Sequence, residues 1–201
     1  MKKQEISRGA EAKIMFSNGF IIKDRIKKSY RLKEIDDKIR KHRTKTEAKN
    51  LTKASKIINC PKPFFIPDFF KIKMPFIEGK RLSDYLEKLP WKKLCREIGK
   101  QIALLHDNDI IHGDLTTSNM ILSNKNNEVY FIDFGLSFNS HRIEDKAVDL
   151  HLIQQALEAK HFTIWKQAFN EILKAYHSKD REKILEQLKK VESRGRYKSK
   201  V

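Results

Sequence analysis

The sequence predicts an α+β fold in two lobes, and three observations point to it. Strand-like runs separated by turn residues occupy the beginning of the chain; from Leu82 onward apolar residues recur at helical spacing; and two short strands are inserted between helices around Asn124-Lys-Asn-Asn127. In order, Glu5 to Phe16 alternates loosely, interrupted by Ser7-Arg-Gly-Ala-Glu-Ala12, and Ser17-Asn-Gly19 reads as a hairpin turn into Phe20-Ile-Ile-Lys23, giving three antiparallel strands. The segment Lys27 to Arg43 is intensely basic and ends at Thr44-Lys-Thr-Glu47, whose spacing fits a capping box on a helix running through Ala48, Leu51, Ala54 and Ile57 or Ile58. Pro61-Lys-Pro63 ends that helix. Phe64 to Phe70 and Ile72 to Ile77 read as two further strands, so residues 1–78 form a small lobe of five strands and a helix. Met74-Pro-Phe-Ile-Glu-Gly79 reads as a connection whose Gly79 supplies flexibility. Residues 79–192 are mainly helical: a short helix at Leu82–Leu86, a long one carrying Trp91, Leu94, Ile98, Ile102 and Leu105, another with Ala147, Leu150, Ile153 and Leu157, then helices at Phe162–Tyr176 and Arg181–Val191. Residues 193–201 form a basic tail.

At 201 residues, with 39% hydrophobic and 34% charged residues, the chain can bury a substantial core. The apolar runs are too short to span a bilayer, and Met1-Lys-Lys-Gln-Glu5 lacks an apolar signal core, so a cytoplasmic location is expected. Cys60 and Cys95 have neither metal-ligand spacing nor disulfide density, and both are expected as free buried thiols. The net charge is +17, with fourteen Lys or Arg against five acids between Lys23 and Lys56. Such a field attracts polyanions and makes nucleic acid a candidate partner, although a lysine-rich surface also serves solubility. Arg194, Arg196 and Lys198, around Tyr197 in the tail, are the candidate contacts to tRNA or a partner.

The chemistry is carried by Ile110-Ile-His-Gly-Asp-Leu-Thr-Thr-Ser-Asn119 and Tyr130-Phe-Ile-Asp-Phe-Gly135. A loop leaving the strand Ile110-Ile111 can turn at Gly113, expose Asp114 and return at Met120-Ile-Leu122, keeping Asn119 near Asp114; the strand Val129–Ile132 then delivers Asp133 to the same edge. Phosphoryl transfer needs this inventory: a carboxylate beside the attacking hydroxyl or water, and oxygen ligands for the magnesium that bridges nucleotide phosphates. Separately, each residue is ordinary, Asp114 in a turn, Asn119 as a cap and Asp133 ending a strand; the joint order and spacing is the set associated with protein-kinase-like folds. In such a fold Lys23, on the third strand, contacts the phosphates and Glu47 braces it. Gly9 lies where phosphate-covering loops usually hold several glycines, and Met74, Phe76 and Ile77 line the connection that meets adenine or are plain core.

The chain resembles the small RIO-related atypical kinases that are subunits of the KEOPS/EKC complex, a family whose animal member is called a p53-related protein kinase. The matching stretches are Gly9-Ala-Glu-Ala12, Ile22-Lys-Asp-Arg25 with Ser29-Tyr-Arg31, Arg43-Thr-Lys-Thr-Glu-Ala48, His112 to Asn119, Ile132-Asp-Phe-Gly-Leu136 and Glu144-Asp-Lys-Ala-Val-Asp-Leu150. The resemblance implies a bilobal protein-kinase-like fold with ATP bound through Gly9, Ala10, Lys23, Glu47, Met74, Phe76 and Ile77. It implies magnesium on Asn119 and Asp133, and Asp114 as the catalytic carboxylate. It also implies autophosphorylation on Ser or Thr, ATP hydrolysis stimulated by the threonylcarbamoyl transferase subunit, other KEOPS subunits as partners, and support of threonylcarbamoylation of the adenosine next to the anticodon of tRNA. Thr116 stands where many protein kinases carry Lys, no Ala-Pro-Glu follows Asp-Phe-Gly, and the interval before Glu144 is too short for an ordinary activation segment. These departures favour a partner-activated ATPase over a free-standing Ser/Thr kinase or a nucleotide-binding scaffold without turnover.

Overall fold

Residues 4–9 and 11–196 are described by the structure, a computed structural model. The fold is α+β: an antiparallel sheet at the N-terminal end and a mainly helical second part. Strands β1 (Gln4–Arg8), β2 (Ala12–Ser17) and β3 (Phe20–Arg25) form the predicted meander. The β2–β3 turn holds Asn18 and Gly19 at φ 51° and 77°, the pair of left-handed residues that a tight hairpin needs to match strand twist.

Helix α1 runs unbroken from Lys33 to Ala54. Thr44 and Glu47 therefore sit inside it and form no capping box; the Thr44 hydroxyl donates to the Arg40 carbonyl at 2.8 Å. The face that α1 buries is largely polar, with Asp36, Thr44, Glu47 and Asn50 alongside Leu51 and Ala54, so its first half shows no apolar period to read. Asp36 is fully buried and held by Arg40 at 2.7 Å, with Arg31 at 3.6 Å.

The N-terminal sheet has four strands among the described residues, in the order β1-β2-β3-β4, where β4 is Lys71–Pro75. The expected strand at 64–70 reduces to one bridge between Phe64 and Lys73. Pro67 cannot donate to a ladder, and Asp68 turns the chain by accepting from the Phe70 amide at 2.8 Å, leaving Phe65 and Phe69 exposed. Residues 76–78 then lead directly into β5 (Gly79–Arg81), which pairs with β7 (Met120–Ser123); β8 (Val129–Phe131) completes that three-stranded sheet. Gly79 is there for closeness and not for flexibility: a Cβ would lie 2.1 Å from the Leu122 carbonyl oxygen.

The helical part follows the predicted periods. Helices α2 (Leu82–Tyr85), α3 (Trp91–Asp107), α4 (Ile143–Lys160), α5 (Trp165–Ala175) and α6 (Arg181–Arg196) enclose a core that includes Ile98, Ile102, Leu105, Leu150 and Ile153. Helix α6 continues through Arg196, so the segment expected as a free tail begins as helix, and Arg194 pairs with Glu144 at 2.7 Å. Strands β6 (Ile110–Ile111) and β9 (Phe138–Asn139) form a two-stranded ribbon. Cys60 and Cys95 are free and buried, their thiols pushed up to about 12 by burial. No described helix is long and apolar enough to cross a membrane.

Replacing Gly79 with Ala forces β5 off β7, and overpacking of this kind costs about 1–3 kcal/mol. A lowered urea midpoint for Gly79→Ala is the expected outcome; an unchanged midpoint would show that the two strands separate freely.

Candidate active site

The loop after β6 is built around two buried groups. His112 is fully buried against Phe134, with ring centroids 4.6 Å apart. Its Nδ1 accepts from the Asp114 amide at 3.3 Å and its Nε2 lies 3.2 Å from the Ile132 carbonyl, so one neutral tautomer serves both contacts. Burial lowers its pKa and outweighs the nearby carboxylates. Gly113 follows at φ 76°, where a Cβ would meet the Leu136 carbonyl oxygen at 2.5 Å. From α4, Asp149 reaches under this turn and accepts from the amides of His112 at 2.8 Å and Gly113 at 2.9 Å. His106, itself bonded to the Tyr176 hydroxyl at 2.7 Å, stands 3.3 Å from the same carboxylate. These groups leave Asp114 partly exposed on a loop whose backbone is fixed.

Asn119 stands at the end of a single 3₁₀ turn, Thr117–Asn119. Its Nδ2 donates to Asp114 Oδ2 at 2.8 Å and to the Asp114 carbonyl at 3.0 Å, while its own carbonyl accepts from the Ile132 amide at 2.9 Å. Asp133 adopts φ 60°, unusual for a side-chain-bearing residue, and its Oδ1 accepts from the Gly135 amide at 3.0 Å. Among the described residues, Asn119 Oδ1 and Asp133 Oδ2 carry no hydrogen bond. Two hard oxygen donors, one anionic, suit magnesium, which keeps waters and takes its remaining ligands from phosphates. No cluster of three or more His, Cys, Asp or Glu among the described residues offers an all-protein metal cage.

Lys23 on β3 faces this edge. Its Nζ lies 2.7 Å from Glu47 Oε1 on α1 and 2.6 Å from Asp133 Oδ1, and Arg25 Nη2 binds the other Glu47 oxygen. Burial works to lower the pKa of the Lys23 ammonium, but the two carboxylates outweigh it and hold it above its ordinary 10.5. Burial likewise works to raise Asp133, and Lys23 overrides it, keeping the carboxyl below 3.8. Helix α1 is further tied to the stretch after Gly135. Asn50 Nδ2 donates to Ser137 Oγ at 3.0 Å, Asn139 donates to Asn50 Oδ1 at 2.7 Å, and Lys53 donates to Asn139 Oδ1 at 2.7 Å.

The structure thus brings together Asp114, Asn119, Asp133, Lys23 and Glu47. Gly9 lies in the β1–β2 turn, its amide bonded to the Ala12 carbonyl at 3.0 Å, with negative φ and room for a Cβ, so nothing there requires glycine. Ala10 lies outside the described residues. Met74 is buried in β4; Phe76 is 41% exposed and stacks edge-on with Phe16 at 5.1 Å. The Phe76 N–H is committed to the Gly19 carbonyl at 2.9 Å, which leaves the Phe76 carbonyl and the backbone of Ile77 for an adenine edge. Arg194 is engaged with Glu144, nothing is described of the Arg196 side chain, and Lys198 lies outside the described residues. Sequence reasoning gave no role to Arg25, Asn50 or Asp149. The signal for Asp149 was an acid on the buried stripe of α4, beside Leu150 and Ile153.

Two of the buried imidazoles set a pH dependence. His112 and His161, whose Nε2 lies 3.2 Å from Thr117 Oγ1, are both lowered from 6.5, chiefly by burial. Each binds a proton more readily unfolded than folded, so the stability is complete above pH 6.5 and lost as pH falls below it. The urea midpoint is expected to hold level above about pH 7 and to fall towards about pH 5.5, and a level profile across that window contradicts the assignment.

The protein kinase domain family matches residues 16–154. A KEOPS complex subunit Bud32 from Pyrococcus abyssi is 46% identical over 97% of this chain and 96% of its own length. A probable serine/threonine-protein kinase BUD32 homolog from Archaeoglobus fulgidus is 36% identical over 96% of each chain. A probable bifunctional tRNA threonylcarbamoyladenosine biosynthesis protein from Methanobrevibacter smithii is 41% identical over 96% of this chain but only 36% of its own length. Among solved structures, monomeric WbdD is similar with a TM-score of 0.59 at 16% identity, over 83% of this chain and 44% of that one, a likeness of fold alone. With a protein kinase domain matched over residues 16–154 and relatives covered almost end to end, the chain belongs to the Bud32 family of protein-kinase-like phosphotransferases.

Proposed function

We propose that the chain is an ATP- and magnesium-dependent phosphotransferase and ATPase that works as a subunit of a KEOPS-type assembly in tRNA threonylcarbamoyladenosine biosynthesis. The observation that carries this reading is the Lys23 ammonium held between Glu47 at 2.7 Å and Asp133 at 2.6 Å, on the edge where Asn119 grips Asp114 at 2.8 Å. Asp114 orients the attacking hydroxyl or water and accepts its proton. Lys23, braced by Glu47, turns from Asp133 to the nucleotide phosphates, which leaves Asp133 Oδ1 with the Gly135 amide alone and Oδ2 open. Asn119 and Asp133 would hold magnesium, whose charge offsets that on the phosphates. The Phe76 carbonyl and the backbone of Ile77 are the connection groups left for the adenine edge.

The assembly, with other KEOPS subunits as partners, is carried over from the Bud32 subunit and the biosynthetic role from the bifunctional protein that the chain resembles; the threonylcarbamoyl transferase subunit as a partner is what the family resemblance implies. A cytoplasmic location and tRNA as a further partner go with that role, and the +17 charge supports the latter. Autophosphorylation on Ser or Thr, with the chain acting as a protein kinase, is a second reading, favoured by the Archaeoglobus relative's name. Weighing against a general peptide kinase, only residues 136–142 separate Gly135 from α4, and β9 within them is paired to β6, which leaves no platform for a peptide.

Slow ATP hydrolysis by the chain alone, rising on addition of the transferase subunit, is the expected result. Asp133→Ala should lower the stimulated rate by about 10²–10³-fold. Binding without turnover, even with partners and tRNA present, would reduce the chain to a nucleotide-dependent scaffold; fast phosphorylation of added proteins by the chain alone would favour the free kinase.

A further inference from the structure

Lys23 and Arg25 are two residues apart on β3, so both side chains leave the same face of the sheet. Both are buried, Arg25 being 5% exposed. Between them they divide the Glu47 carboxylate, Oε1 to Lys23 and Oε2 to Arg25. A carboxylate held at one oxygen can still swing about its last bond. Held at both, it presents Oε1 in one direction, and that direction fixes where the Lys23 ammonium stands.

The Arg25 fork is only half used. Nη2 binds Glu47, while Nε is the one buried side-chain nitrogen or oxygen among the described residues without a hydrogen-bond partner. An arginine usually meets a carboxylate with two parallel donors, and a buried donor left idle is costly. The idle donor acquires a purpose once Lys23 has a phosphate to bind. With the ammonium turned from Asp133 to a phosphate and still paired to Glu47 Oε1, a small rotation of the carboxylate lets Oε2 meet Nε as well as Nη2.

We propose that Arg25 is a positioning residue: it aims Glu47, and through it Lys23, at the phosphates of a nucleoside triphosphate, and its free Nε takes up Glu47 when Lys23 moves to them. The inference rests on the nucleotide-binding role proposed above and goes beyond it by adding a second cation to the lysine–glutamate pair.

The test compares direct binding of Mg-ATP and of adenosine to the full-length chain, with melting temperature as a control on folding. Arg25→Lys keeps the charge but loses the fork. It is expected to weaken Mg-ATP binding about 10-fold and leave adenosine binding unchanged, since adenosine carries no phosphate for the Lys23 ammonium to bind. Glu47→Gln, which leaves Arg25 in place, should give the same ATP-selective loss, and adding Arg25→Lys to it should cost nothing further. Full ATP affinity in Arg25→Lys, equal losses for ATP and adenosine, or additive losses in the double variant would each overturn the proposal. Lys23→Met separates the two levels. If it leaves Mg-ATP binding intact, the nucleotide reading itself fails; if it weakens binding while Arg25→Lys does not, only the positioning role fails.

Discussion

An alternating row of charges, Asp133, Lys23, Glu47 and Arg25, joins the two parts of this protein, and the arrangement of the cleft depends on it. The row starts on the loop after β8, crosses to β3, passes to α1 and returns to β3. Each inner member is flanked by two opposite charges, which offsets the cost of burying it; removing Glu47 would leave Arg25 as an uncompensated buried charge. Asp133, at the exposed end with 47% of its side chain accessible, is the member that solvent and ligands reach. The half open to water is therefore also the half able to exchange partners.

Beneath this row lies a second support. Asp149 holds two consecutive backbone amides, and His112 holds the next amide and the Ile132 carbonyl, so the backbone presenting Asp114 is tied to the one presenting Asp133 through buried side chains. A carboxylate with two amide donors in a dry site is strongly fixed. The candidate site thus sits on loops in sequence but behaves as part of the core.

Much of this was legible from residue order alone. The helical part announced itself through apolar periodicity, as in Ile98, Ile102 and Leu105, and the spacing of Asp114, Asn119 and Asp133 required two adjacent strands to carry them. Helix α1 was only half legible, because its buried face is made of Asp36, Thr44, Glu47 and Asn50, and polar residues leave no hydrophobic signature even when they lie inward. Phe64 to Phe70 misled for the opposite reason: aromatic residues imitate a strand, while Pro67 and Asp68 deny it a ladder. Arg25 and Asn50 could not be assigned from the chain because their partners, Glu47 and Ser137, are distant in sequence and met only through the fold.

The attachment of α1 to residues 137–139 has a consequence for control. Many switchable proteins keep a helix or loop in two positions and let a covalent mark choose between them. Here Asn50 and Lys53 fasten the helix to a short stretch whose strand β9 is itself paired to β6, so the helix that carries Glu47 is already docked, with no covalent mark needed to bring it in.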